Sequence, residues 1–489
     1  MTQRPHIIWL RQDLRLSAQP AVTAAAQSGA PLLFVYSLDD DAPGHWRLGG
    51  AARWWLHHSL KALGGAIRAR GGALILRRGD AVTTLAGLCR EVDAAAVHAT
   101  RHYEPWARRQ QNALAKTLAA NGIAWQLHGA SLMVEPDALR TGQGQPYQVF
   151  TPFWRAWQAE IGSQRLALAP APTRLAAPAD LPASDALEDW RLRPTRPDWA
   201  GGLATRWQPG EDAALARLHG FTASAADRYG QARDRIDVDG TSRLSPYLHW
   251  GEISAAQVIA HLGTMLPPEA AQPFIRQLAW RDFCHDLLAH DPDMADRPWR
   301  RHWQSFPWRD DANALRAWQH GRTGYPIVDA AMRGLWHEGW MHNRARMIVA
   351  SFLTKDLLLP WQAGAAWFWD TLVDANLANN SAGWQWVAGS GADAAPYFRI
   401  FNPVTQGQKF DPQGAYVRHW LPHLAAVADA HLQRPWQAPP LLLHQAGVTL
   451  GRDYPQPMID HGLARRRALD LYQRHGKAKA PAQPQHHAQ

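Results

Sequence analysis

Five short apolar runs punctuate the first 130 residues: His6–Leu10, Leu32–Tyr36, Ala73–Leu76, Ala94–His98 and Ile123–Leu127. Within each run the apolar residues are continuous rather than alternating, which requires burial on both faces of a strand. Between the runs lie helical patterns such as Arg53–Leu63 and Trp106–Ala120. Gly64-Gly65 and Asn121-Gly122 stand where helix C-termini would end. Strands buried on both faces and joined by helices make a βαβ series, so residues 1–130 are expected to form an α/β domain with a doubly wound, Rossmann-like parallel sheet.

The pattern then changes. Residues 131–205 read as a connector, and the stretch 165–200 is rich in Ala, Pro, Arg and Asp without a period. Beyond about residue 210 strand signals fade and helical patterns dominate: Asp212–Leu218, Ala255–Leu262, Pro273–His290, Tyr325–Glu338, Met341–Leu359 and Ala365–Asn376. Residues 206–472 should be an all-α domain. The last stretch, 473–489, ends in GKAKAPAQPQHHAQ and reads as a disordered polar tail.

Composition excludes several classes. Only 19% of the 489 residues are charged, too few for a disordered polyelectrolyte, and 46% are hydrophobic, enough for a sizeable core. Two cysteines, Cys89 and Cys284, exclude a disulfide framework, an all-cysteine zinc site and a four-cysteine iron–sulfur cluster. No signal peptide and no 18-residue apolar run is present, so a cytoplasmic location is expected. The net charge of +9 comes from 45 arginines and only six lysines. Arginine's planar fork suits phosphate and hence a polyanionic partner, although GC-rich codon usage produces the same excess. Twenty of the 26 tryptophans follow residue 150. That excess suggests stacking on flat ligands or electron transfer through indoles.

The usual nucleotide signatures are missing. Gly142-Gln-Gly144 and Gly389-Ser-Gly391 lack the third glycine of a dinucleotide fingerprint, and no Walker lysine motif or GxSxG occurs. His337 and His342 flank a zincin-like stretch, but they are five apart and do not share a helix face. The chemistry is therefore expected in the helical half, where four segments concentrate unusual polar residues. Gly240-Thr241-Ser242-Arg243-Leu244-Ser245-Pro246 offers backbone amides, hydroxyls and a guanidinium for a phosphate; a plain helix cap explains it as well. Gln277, Trp280 and Arg281 share a helical face suited to a base and a phosphate, or to an ordinary amphipathic helix. Asn343, Arg346 and Met347 lie on one face that continues into apolar residues, where an amide and a guanidinium are costly to bury without partners. Asp374 could pair with Arg346 beside a ligand, and Asn376 and Asn380 could bond a heterocyclic edge; a polar helix end followed by a loop would look the same.

Taken in order, GTSRLSP, TGYPIVDAAMR, WMHNRARMIVASFL and WQWVAGSGADAAPYFRIFNP make the chain resemble the DNA photolyase/cryptochrome flavoproteins, from IIWLRQDLRL to about Leu471. It is most similar to the proteobacterial class III, class I-related cyclobutane pyrimidine dimer photolyases. The resemblance implies an N-terminal antenna domain and a helical domain holding FAD. Tyr229, Thr241, Ser242, Arg243, Leu244, Ser245 and Arg281 would hold its phosphates and ribityl chain. Arg346, Asp374 and Asn376 would surround the isoalloxazine, and Asn380 would face flavin N5. The position of Asn376 is usually Asp in this family. Trp384, Trp361 and Trp308 fall at the family's electron-transfer positions.

The implied substrate is UV-damaged DNA, with a pyrimidine dimer flipped out of the duplex. Trp280 and Trp386 would stack on the dimer, Asn343, Met347 and Gln277 would touch its edges, and Gln406 with arginines such as Arg344 would hold the strand. Gln277 stands where cyclobutane dimer enzymes usually carry Glu, while Asn343 and Met347 stand where (6-4) enzymes place histidines. A cryptochrome-like photoreceptor, a (6-4) photolyase and a flavin-free nucleic-acid-binding helical protein are the alternatives. The antenna chromophore is expected to be methenyltetrahydrofolate, with a deazaflavin, a flavin or no antenna as alternatives, and the protein to be a monomer.

Overall fold

The computed structural model describes residues 3–163, 166, 168–394 and 399–476. Five strands, β1 (His6–Leu10), β2 (Leu32–Leu38), β3 (Ala73–Arg78), β4 (Ala96–Thr100) and β5 (Ala124–His128), form one parallel sheet in the order β3-β2-β1-β4-β5. The reversal of strand order beside β1 is the doubly wound topology expected from the continuous apolar runs. Ile7, Trp9, Leu33, Val35, Val97 and Ala99 are sealed on one face by Leu85, Leu88, Leu114 and Leu118 of the crossover helices.

One helix end is corrected. Gly64-Gly65 does not terminate the first long helix, which runs Gly50–Ala69. A Cβ at Gly64 would stand 3.4 Å from Leu74 of β3, so a small residue there allows close helix–sheet packing. The stop comes at Gly71, whose φ of +85° a side chain resists. Asn121-Gly122 does end its helix, Pro105–Ala120, as expected.

The chain gathers into two compact units, one comprising Met1–Pro292, Arg333–Arg344 and Ala365–Ser381, the other Asp293–Met332, Ala345–Gly364 and Ala382–Gln489. Among the described residues the regular elements outside the sheet are helical. The region read as connector contains an unanticipated helix, Phe150–Ser163, whose Phe150, Phe153, Trp154 and Trp157 form a buried stripe. Asp282, on helix Pro268–His290, anchors this region within the first unit. It accepts from Met133 N (3.0 Å), Val134 N (3.1 Å) and Trp157 Nε1 (2.8 Å).

The expected helix Ala365–Asn376 is shifted: the observed helix is Trp361–Thr371, and a new one, Leu377–Ala388, follows a turn. Asn376 causes the restart, because its Oδ1 accepts from Asn379 N at 3.1 Å and caps the new helix. Met341–Leu359 is likewise divided, into an α-helix, Asn343–Ser351, and a π-helical turn, Phe352–Asp356. Of the region read as a tail, residues up to Gly476 belong to the helical turn Tyr472–Gly476, and 477–489 lie outside the described residues.

Candidate functional site

In the first unit, the Gly240–Pro246 segment adopts an unusual backbone. Arg243 has a left-handed φ of +53° and Leu244 returns to the right-handed region, the alternation that turns successive N–H groups toward an anion. Arg217 holds the turn from behind through the carbonyls of Ser242 (2.6 Å) and Thr241 (3.3 Å), and Ser242 Oγ accepts from Leu244 N. Ser245 Oγ accepts from the Trp340 indole at 3.0 Å.

Arg243, expected as a phosphate ligand, is held between Asp239 (3.3 Å) and Glu338 (3.8 Å) with its guanidinium 5.1 Å above Trp340. Neither carboxylate takes a hydrogen bond from its buried Nε or Nη1. Tyr229 is buried edge-on against Phe221 and Phe274 under Arg233, and burial raises its phenol pKa.

Helix Pro268–His290 brings Gln277, Trp280 and Arg281 together as its spacing requires. Trp280 lies flat on Phe150, ring centroids 3.7 Å apart and planes 9° from parallel. Gln277 Oε1 accepts from Arg233 (3.2 Å), while its Nε2 donates to Pro273 O (3.2 Å). Arg281 departs from expectation. Its guanidinium donates to the carbonyls of Ser131 and Leu248, so those donors serve the fold rather than a ligand phosphate. Arg344, expected to grip a DNA strand, is instead ion-paired with Asp234 at 2.7 Å. Asn343, at the start of helix Asn343–Ser351, is exposed.

The turn carrying Asp374 and Asn376 is pinned by its backbone: Trp250 Nε1 donates to Val373 O (3.1 Å), and Val373 N donates to Gly339 O (2.8 Å). Asp374 is buried beside His249. His249 was not anticipated. It is buried, both ring nitrogens lack a hydrogen-bond partner, and burial lowers its pKa to about 4, so it is neutral at pH 7. Its only sequence signal is its place at the end of the helix that GTSRLSP begins, Ser245–His249. Asn380 Nδ2 donates to Ala365 O at 3.0 Å, which turns its Oδ1 the other way.

In the second unit, Trp384 is buried on helix Leu377–Ala388, edge-on to Trp318 at 6.1 Å. Its ring lies over Gly364, where a Cβ would come within 2.1 Å of it. Trp361 is fully buried one turn before that glycine. Trp308 is half-buried in an aromatic cluster, 4.5 Å from Phe306 and 6.4 Å from Trp303. Arg346, Met347 and Trp386 are each half-buried, and Gln406 sits on helix Pro403–Phe410.

Two residues of this unit were missed. Gln385, between Trp384 and Trp386, is fully buried and fixes their helix. It donates to Met294 O (2.6 Å) and Arg297 O (3.1 Å) and accepts from Trp299 N (2.7 Å). Buried Lys355 donates to Val387 O and Arg399 O, both at 2.7 Å, and burial pulls its pKa to about 7. Among the described residues no His, Cys, Asp and Glu cluster could hold a metal ion, and no helix is long and apolar enough to cross a membrane.

Known proteins carry the same pattern. The family model for the FAD binding domain of DNA photolyase matches residues 274–474, and that for DNA photolyase matches residues 6–176. A deoxyribodipyrimidine photo-lyase of Agrobacterium fabrum is 46% identical over 471 residues, covering 96% of this chain and 97% of the relative. Cryptochrome-1 of Arabidopsis thaliana is 34% identical over 93% of this chain and 68% of its own length. The crystal structure of a bacterial class III photolyase from Agrobacterium tumefaciens superposes with a TM-score of 0.93 at 45% identity, covering 98% of this chain and 99% of that one. Sheet order, helical half and near-complete sequence match agree, and the chain belongs to the DNA photolyase/cryptochrome family.

Proposed function

We propose that this protein is a light-dependent DNA repair enzyme, a deoxyribodipyrimidine photo-lyase that splits cyclobutane pyrimidine dimers. The observation that carries the reading is its similarity, over almost the whole of both chains, to the Agrobacterium fabrum deoxyribodipyrimidine photo-lyase. FAD fits the residues present. Buried polar groups are nearly always hydrogen-bonded in native proteins. Here Arg243 Nε and Nη1 and both ring nitrogens of His249 are not, and a phosphate- and hydroxyl-bearing ligand supplies what they lack.

The chemistry FAD supplies when bound is absorption of blue light and one-electron transfer. The chain's own residues bind and orient. The Thr241–Ser245 backbone and Arg243 would hold the phosphate and ribityl portion, His249 would bond it with one donor and one acceptor, and, on the family resemblance, Asp374, Asn376, Asn380 and Arg346 would border the isoalloxazine. Trp384, Trp361 and Trp308 carry an electron inward from the protein exterior.

Trp280, with one face covered by Phe150, presents its other face to the flipped dimer, and Trp386 stacks as well. The Phe150 contact makes Trp280 a rigid platform. Gln277 offers its remaining amide N–H to a base carbonyl, and Gln406 contacts the strand. Asn343 and Met347 have no proton to give a lesion, which favours the cyclobutane dimer over the (6-4) product. A second, light-harvesting chromophore is methenyltetrahydrofolate on this reading, identified by the absorbance released on denaturation.

Blue-light repair by the reduced protein, on two oligonucleotides each carrying one lesion, tests the assignment. Cyclobutane dimer repair is expected. Repair of the (6-4) lesion alone overturns the substrate, and repair of neither by a flavin-loaded protein moves it to the photoreceptor reading.

A further inference from the structure

His285 and Asn376 are 91 residues apart in sequence and meet inside the first unit. His285 is buried on helix Pro268–His290, and its Nδ1 lies 2.8 Å from Arg281 O, one turn back. A carbonyl oxygen only accepts, so Nδ1 carries the hydrogen. The other ring nitrogen, Nε2, lies 3.3 Å from Asn376 Nδ2.

The neighbours oppose a second proton on this ring. Arg281, His249 and His102 are close enough to act on its charge, Tyr103 meets it edge-on at 5.8 Å, and burial holds its pKa near 3. Nε2 is therefore a lone pair that needs a donor. The Asn376 amide supplies one, and its orientation follows independently from its other end. Oδ1 caps helix Leu377–Ala388 by accepting from Asn379 N, which leaves Nδ2 toward the ring. Both ends of the contact demand the same arrangement.

We infer that His285 is a positioning residue, a neutral Nδ1–H imidazole whose Nε2 lone pair selects an amide rather than a carboxylate at position 376 and fixes which way that amide points. An aspartate would keep the helix cap, since its oxygen accepts as well as that of asparagine. It would, however, set an acceptor against an acceptor in a buried space, and the clash is relieved only if the pair takes up a proton, which the imidazole, the stronger base of the two and now facing an anion, receives. The inference rests on the flavin reading in one respect: there, the pair keeps the position beside the isoalloxazine uncharged and its amide fixed.

The test is 15N-histidine NMR of the full chain, without and with FAD, with His285 assigned by difference against H285Q. In the wild type the ring should be the neutral Nδ1–H tautomer and stay so to below pH 5. In Asn376→Asp it should be doubly protonated at neutral pH, which requires its pKa to rise by more than about four from the buried value. A wild-type ring protonated on Nε2, or titrating near its ordinary 6.5, overturns the inference without any variant. An N376D ring that stays neutral at neutral pH overturns it too. Should FAD fail to bind, the flavin reading falls, while the spectra of the flavin-free chain still decide the His285–Asn376 pair. With FAD bound, N376D should shift the flavin's midpoint potential, and N376S, which keeps a cap and a donor hydroxyl, should shift it less. A potential identical in all three proteins refutes the pair's influence on the flavin.

Discussion

Gly364→Ala tests the packing that holds Trp384. A Cβ at position 364 would lie 2.1, 2.4 and 2.6 Å from three carbons of the Trp384 ring. Ordinary contact begins near 3.4 Å, so the buried ring must retreat by roughly 1.3 Å or more. Overpacking of this kind costs roughly 1–3 kcal/mol. Alanine also gains about 0.5–1 kcal/mol over glycine inside a helix, and Gly364 lies within Trp361–Thr371, so the clash is partly masked. Gly383 separates the two effects. It is also helical, a Cβ there meets nothing within 4 Å, and G383A reads the propensity gain alone. Thermal melting of wild type, G364A and G383A should place G383A slightly above wild type and G364A below G383A by the overpacking cost. Near-UV circular dichroism of G364A should change with the ring's displacement, and flavin photoreduction with an external reductant should slow. Equal stability of the two variants, with unchanged near-UV dichroism, would refute the claim that Gly364 is small because Trp384 occupies the space.

Trp308→Phe should preserve the fold and slow photoreduction sharply while repair by pre-reduced protein continues; unchanged photoreduction rejects Trp308 as the outlet. Trp280→Ala should cost about 1–3 kcal/mol of binding to dimer-containing DNA per stacked base lost. The slope of log affinity against log salt should stay the same because no phosphate contact is removed, and a reduced slope would place Trp280 in the backbone-binding surface. Glu252→Gln concerns pH: burial raises the Glu252 carboxyl from 4.5 to about 8, against Ser59 Oγ (2.6 Å) and Trp55 Nε1 (3.2 Å). Its folded pKa lies above the unfolded one, so its contribution is complete below pH 4.5 and is lost as pH rises toward 8. E252Q should therefore melt close to wild type at the acid end and increasingly above it toward pH 8, and a wild-type advantage that grows with pH would contradict the burial argument.

The sheet was legible because its signal is local. A continuous apolar run bounded by turn residues needs no knowledge of its partner to be read as a strand, and all five runs became parallel strands in one sheet; burial on both faces fails for β5, which lies at the sheet edge and is half-buried or exposed throughout. Helix ends were less legible, since a glycine has more than one use. Gly64 serves close packing against Leu74, while the stop lies seven residues later at Gly71. The Phe150–Ser163 helix carried a legible apolar stripe, Phe150, Phe153, Trp154 and Trp157, that the surrounding Pro- and Ala-rich composition obscured.

The candidate site divides along the same line. Residues that act through their own position on a helix face, Gln277 with Trp280 and Arg281, were found by spacing. What their side chains reach was not, because Arg281 ends on Ser131 O and Arg344 on Asp234, each more than a hundred residues away in sequence. His285, His249, Gln385 and Lys355 were invisible for the same reason: a buried polar residue is meaningful only with its partners, and periodicity does not name them. Asn376 shows both halves of the problem. Its departure from aspartate could be seen at once, yet a helix cap accepts either residue and gives no reason to prefer the amide. The preference comes from the imidazole across the contact, whose one available lone pair asks for a donor. A substitution at such a position is therefore to be read as half of a pair, and the other half lies wherever the fold brings a matching group.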